Sequence, residues 1–149
     1  MGLDWKYNAF DELSTSELYA ILQLRNAVFV VEQECVYQDA DNKDEDSLHM
    51  TGWDDKHIVA YCRNLPPGIS YMEASIGRVV VSPGYRNSGY GRELMKLAVV
   101  FALERFKCKI ITIGAQLYLK EFYKALGFVQ ISKTYLEDNI PHIEMQFTA

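Results

Sequence analysis

An apolar, β-branched run, Val79-Val80-Val81, stops at Ser82-Pro83-Gly84, and glycines recur at 89 and 91 before an apolar pattern of helical period begins at Leu94. Strand, glycine loop and helix start, in that order, constrain this chain more than any other feature. The β-branched run favours a strand, and Pro with Gly ends it. Glycines let the backbone adopt φ > 0 and come close to a ligand. The first turn of the following helix then offers unpaired N–H groups and the positive end of its dipole. Such a junction predicts a site for a phosphorylated ligand.

A chain of 149 residues has room for one domain, here 1–149, with one substantial core. Its net charge of −5 argues against nucleic acid as a partner, because a polyanion requires a basic face. Cys35, Cys62 and Cys108 are odd in number, far apart, and lack metal-ligand spacing. They read as reduced, largely buried thiols, with no disulfide framework and no metal site. The N-terminal MGLDWKYNAF has neither a basic n-region nor an apolar h-region, and no apolar run approaches a membrane span. These features predict a cytoplasmic protein with no membrane partner.

Along the chain, Trp5 to Phe10 forms a first strand, and Ser14-Thr15-Ser16-Glu17 reads as a capping box. The helix behind it carries Leu18, Ile21, Leu22, Arg25 and Phe29 on one stripe. Residues 33–50 are acidic and irregular and read as a loop with a short helical turn. A calcium-loop reading of Asp39 to Met50 fails: Lys43, Asp44 and Met50 stand where an oxygen ligand, the glycine and the final glutamate belong. The carboxylates of this stretch are expected to be solvated. Met50–Trp53 and Ile58–Leu65 bracket a hairpin turn, Pro66-Pro67-Gly68 breaks the chain, and Glu73–Ser82 is the next strand. A helix from Gly89 to Phe106, a buried strand Lys109–Gly114 and a helix Leu117–Leu126 stopped by Gly127 follow. Phe128–Leu136 and His142–Phe147 complete the pattern as strands. With about seven strands and three or four helices, this is an α/β single domain with a mixed sheet, antiparallel at its hairpins and parallel at its strand–helix–strand units.

The glycine loop has three readings. A nucleotide P-loop fails because Tyr90 and Gly91 replace the required Lys and hydroxyl. A dinucleotide fingerprint fails because the close glycine pair comes last in the loop and the strand comes late in the chain. The third is Arg86-Asn87-Ser88-Gly89-Tyr90-Gly91, R-x-x-G-x-G, which resembles the pyrophosphate loop of the GCN5-related N-acetyltransferases (GNAT). Ile110 to Phe128, ending in Tyr123-x-x-x-Gly127-Phe128, is similar to the next strand and helix of that family. Arg25-x-x-Val28-Phe29-x-x-Glu32-Gln33, Gly52-Trp53-Asp54-Asp55 and Ile140 to Met145 resemble its ElaA-type branch, so the likeness covers nearly the whole chain.

The resemblance implies a mostly antiparallel sheet flanked by helices, with a splayed central parallel pair. In that splay acetyl-CoA would bind as cosubstrate. Backbone groups of the Val79-Val80-Val81 strand would pair with the pantetheine arm, and Gln116, where many members carry Asn, would present it an amide. Asn87, Ser88, Gly89, Tyr90, Gly91 and Arg92 would cradle the pyrophosphate, with charge-assisted contacts from Arg86 and Arg92. Tyr123 would be the general acid that protonates the departing thiolate, with Tyr118 as second candidate. Tyr123 also fits a core aromatic beside Leu119, Phe122 and Leu126. Glu32, Glu73, His49, His142 or a water chain would serve as base. The acceptor would be a small amine or a peptide amine, bordered by residues 33–50, 66–72 and 136–142. A non-catalytic acyl-CoA sensor of the same fold is the rival reading. Strand edges near the C-terminus leave room for a homodimer.

Overall fold

The computed structural model describes residues 2–149. In chain order the elements are β1 (Asp4–Ala9), α1 (Thr15–Arg25), β2 (Leu48–Asp54), β3 (His57–Leu65), β4 (Ser75–Val81) and α2 (Tyr90–Phe106). They continue as β5 (Ile110–Gln116), α3 (Lys120–Ala125), β6 (Val129–Gln130), β7 (Tyr135–Glu137) and β8 (Ile140–Thr148). The capping box is present: Glu17 N–H donates to Ser14 Oγ at 3.0 Å, and Ser14 N–H donates to Glu17 Oε1 at 2.8 Å. This satisfies two amides at the start of α1 that would otherwise lack partners.

The strands form two four-stranded antiparallel sheets, ordered β1-β2-β3-β4 and β5-β8-β6 with β7 also on β8. Among the described residues they meet in parallel at one place, the Ala74–Ile111 bridge, where Thr112 N–H donates to the Ala74 carbonyl at 2.9 Å. Beyond it β4 and β5 run apart. The physical cause lies in β4. Tyr61 pairs with Val80 and Arg63 with Gly77, so one residue of β3 faces two of β4. Arg78 sits in this bulge with φ +52°. A bulge bends its strand and increases its twist, so β4 departs from β5 where it would otherwise have continued the ladder.

Period-two alternation in β3 divides the core. Ala60 and Cys62 face the cluster of Leu94, Met95 and Ala98 on α2, while Tyr61 faces Ile21, Leu24 and Val28 from the other side. The buried stripe therefore runs Ile21, Leu24, Arg25 and, in the turn that follows α1, Val28, and leaves Leu18, Leu22 and Phe29 only partly buried, a correction to the expected set. From Asn26 the helix widens into a π-turn that runs to Glu32.

Two further expectations change. The single strand Phe128–Leu136 is two short strands, interrupted where Ser132 Oγ accepts Glu144 N–H at 2.8 Å, giving eight strands among the described residues. The β7–β8 hairpin closes on Asp138 and Asn139, both at positive φ (50° and 62°), as a two-residue turn matched to strand twist requires. Three carboxylates of the acidic loop are paired rather than solvated, while Glu45 and Asp46 stay exposed. Asp39 pairs with Arg25 (2.8 Å) and Arg78 (2.8 Å), Asp41 with Arg63 (2.6 Å), and Asp44 with Arg25 (2.7 Å) and Arg63 (2.9 Å). Arg25 is 0% exposed and Arg63 3%, so the loop is held by charges that must be paired to be buried.

Gly52 marks a close approach. A Cβ there would stand 2.7 Å from Trp5 Cζ3, and that indole is tied by its N–H to Glu93 Oε1 at 2.7 Å. Gly52→Ala is expected to destabilise the fold by about 1–3 kcal/mol. A thermal scan reads this as a lower Tm, and an unchanged Tm would mean that the indole moves aside freely.

Candidate functional site

The divergence of β4 and β5 opens a cleft of about 710 Å³ above the N-terminus of α2. Gly89 caps that helix at φ +82°, and Asn87 precedes it at φ +65°. The Glu93 amide is the one that closes the first helical turn, donating to the Gly89 carbonyl at 3.1 Å. The N–H groups of Tyr90, Gly91 and Arg92 before it have no helical partner and face an incoming anion. A Cβ on Gly91 would stand 3.6 Å from Val81 and 3.7 Å from Phe122, so anything larger would fill the cleft floor. Ser82 N–H bonds the Val59 carbonyl at 2.7 Å. By alternation, Val79 and Val81 turn their backbone groups away from β3 and into the cleft.

Val79, Val80, Val81, Arg86, Asn87, Gly89, Tyr90, Gly91 and Arg92 all line this cleft; Ser88 does not. Arg86 is held in a bidentate pair with Glu32 (2.7 and 2.6 Å), and its Nε donates to the Val81 carbonyl at 3.3 Å. Hydrogen bonding to Arg86 holds the Glu32 carboxyl below the usual range. This pair joins the end of the π-turn to the glycine loop across the mouth of the cleft.

A second, smaller pocket of about 120 Å³ lies beyond the splay. Gln116 lines it rather than the larger cleft and donates to Gln33 Oε1 at 3.2 Å, Gln33 being a wall of both. The two cavities share Phe29, Gln33, Val79, Leu119 and Tyr123 as walls. Tyr123 is 6% exposed, edge-on to Phe122 and Phe128, and burial pushes its phenol well above the ordinary value. Its hydroxyl has no protein hydrogen-bond partner among the described residues. It is thus both a core aromatic, as its neighbours suggest, and a free donor at the cavity junction. Tyr118 lines the larger cleft at 74% exposure, in solvent rather than at the junction.

The four candidate bases separate clearly. His49 is 0% exposed, touches Tyr61 Oη at 2.6 Å and the Asp44 carbonyl at 2.9 Å, and lines neither cavity; burial pushes its pKa down. Glu73 accepts from Thr112 Oγ1 at 2.7 Å and lines neither. Glu32 belongs to the larger cleft, and His142 lines the smaller pocket with Tyr123. Sequence reasoning missed Leu119, Phe122 and Gln33 as walls, because an apolar stripe or a lone amide carries no signal of a cavity. Of the three loops expected around the acceptor, two contribute walls here: Cys35 and Tyr37 from the first, Glu137 and Asp138 from the last.

A parallel pair opened by a bulge, with a helix N-terminus beneath, defines an acyl-CoA-dependent acyltransferase of GNAT type, and residues 13–149 match the family model described as "Acetyltransferase (GNAT) domain"; the chain belongs to that family. Among its relatives, protein ElaA of Escherichia coli (strain K12) is 42% identical over 145 residues, covering 96% of this chain and 95% of ElaA. The crystal structure of Escherichia coli ElaA superposes with a TM-score of 0.91 at 41% identity, covering 97% of this chain and 99% of that one. An acyl-CoA N-acyltransferase from Pseudomonas aeruginosa superposes at 0.93, with 41% identity and coverage of 98% and 99%.

Proposed function

We propose that this protein moves an acetyl group from acetyl-CoA to a small primary amine or peptide amine by direct attack, with Tyr123 as general acid. What carries the reading is the meeting of two cavities on one phenol. The larger cleft has the anion cradle and free strand edge that a phosphorylated, amide-bearing donor requires. The smaller pocket admits the amine end of an acceptor. An acyl carbon passing between them lies beside Tyr123. Nitrogen attack forms the C–N bond, the C–S bond breaks, and the Tyr123 hydroxyl gives its proton to the leaving sulfur. In this reading Arg86 exchanges Glu32 for the pyrophosphate, and Asn87 to Arg92, Ser88 included, supply backbone N–H groups.

Acetyl-CoA at a hundred times its Kd is expected to stabilise the fold by about 2.7 kcal/mol, a rise in Tm of roughly 5–10 °C for a chain of this length. ATP and NAD should produce no such rise, and the absence of a shift with acetyl-CoA would end the reading. Release of free thiol on adding amines then tests transfer. Binding without amine-dependent thiol release favours the acyl-CoA sensor instead.

A further inference from the structure

We infer that His142 is the group that takes the proton from the incoming ammonium, with Glu137 positioned to hold the imidazolium that results. The inference rests on the acyl-transfer reading above and assigns the base in that same site. Of the four candidate side chains, only His142 shares the smaller pocket with Tyr123. Its tautomer follows from its partners. Nδ1 lies 2.7 Å from the Ile140 carbonyl, which can only accept, so Nδ1 carries the proton. In the neutral ring the lone pair is therefore on Nε2. Nε2 stands 3.5 Å from Glu137 Oε2, a contact that becomes an ion pair once Nε2 is protonated. Tyr135 stacks on the ring at 5.9 Å between centroids, and Gln116 is its register partner on β5, so the imidazole has little freedom to turn.

Three of the other charged or titratable groups of this pocket are already engaged. Arg78 is paired with Asp39 and Asp41, Tyr37 donates to Asp39 at 2.7 Å, and Cys35 Sγ donates to the Asp138 carbonyl at 3.5 Å. The remaining ones are Tyr123, the proposed acid, Glu137 and the Asp138 carboxylate. Apart from Arg78, the pocket thus presents carboxylates and neutral groups, surroundings that draw in an ammonium ion.

The protons balance. An ammonium gives one proton to Nε2 and becomes a nucleophilic amine. When the tetrahedral intermediate collapses, the nitrogen loses a second proton, which replaces the one Tyr123 gave to sulfur. His142 returns the first to water, so amine cation and acyl-CoA yield amide, free thiol and one proton.

In the test, amine-dependent thiol release is followed across pH. His142→Gln should lower kcat/KM by about 10²-fold or more and abolish the acidic limb of the profile, with acetyl-CoA affinity kept. His142→Ala should regain part of its kcat with added imidazole, which a merely structural role would not allow. Retained kcat/KM with an intact acidic limb overturns the assignment alone. No amine-dependent thiol release by the wild type overturns the acyl-transfer reading and the assignment with it. Nitrogen-15 spectra of the unaltered protein give a check that needs no variant to fold. A neutral ring protonated at Nδ1 supports the assignment, and one protonated at Nε2 overturns it.

Discussion

Tyr123→Phe is expected to lower kcat by about 10²-fold or more, with acetyl-CoA affinity and Tm nearly unchanged. Phenylalanine keeps the ring that packs edge-on against Phe122 and Phe128. The deleted hydroxyl has no partner among the described protein residues, so removing it leaves no buried group unsatisfied. The loss should therefore fall on the transition state, where a thiolate leaves into a cavity with little water. Burial that pushes the Tyr123 phenol up disfavours a bare thiolate in the same way. Proton donation from the phenol neutralises the thiolate, and the second proton of the attacking nitrogen restores the phenol, so neither is left charged in the cavity. Single-turnover kinetics with a saturating amine separate the chemical step from binding. Turnover at the wild-type rate would remove Tyr123 from the acid role.

The second large effect concerns the acidic loop. Asp44→Ala is expected to destabilise the protein by about 3–5 kcal/mol, against roughly 5–15 kcal/mol for the whole stability of an ordinary domain. Asp44 Oδ1 is the common partner of Arg25 and Arg63, and both guanidiniums are buried. Its removal leaves charge that water cannot reach. Denaturant melts compared with wild type give the number, and a loss below about 1 kcal/mol, the scale of a surface pair, would mean that water enters to solvate the arginines. The same network sets an acid limit. Burial raises the carboxyls of Asp41 and Asp44, but hydrogen bonds and charge from Arg63 to Asp41, and from Arg25 and Arg63 to Asp44, outweigh it and hold both below their usual range. Carboxylates lowered on folding contribute stability that is fully present above their unfolded value of about 3.9 and lost as pH falls through the lower folded values.

Several parts of the fold could be read from residues because their causes are local. The Ser14–Glu17 box, the Gly127 stop at φ +101° and the Gly89 cap depend on side chains and φ angles a few residues apart. The anion cradle belongs to the same class, since Gly89 and Gly91 stand where any strand–loop–helix junction exposes its amides. The acidic loop misled for the opposite reason. Asp39, Asp41 and Asp44 look solvated in the sequence because their partners Arg63 and Arg78 lie about twenty to forty positions away.

The candidate site divides along the same line. The family itself was legible in order and spacing, and so were Val79 to Arg92 and Tyr123 as the residues proposed to hold the donor and supply the acid. The proposed choice of His142 over Glu32, Glu73 and His49 was not, for it rests on what its nitrogens touch and which cavity it lines. The sequence by itself determined the strand edge, glycine loop and helix start that are proposed to hold an acyl donor, because these are properties of contiguous chain. Only the tertiary structure decided where the cleft opens: the Arg78 bulge, the Ala74–Ile111 bridge and the β7–β8 hairpin bring distant residues to two cavities that share Tyr123 as a wall. That placement follows from register and packing between elements, which no local run of residues specifies.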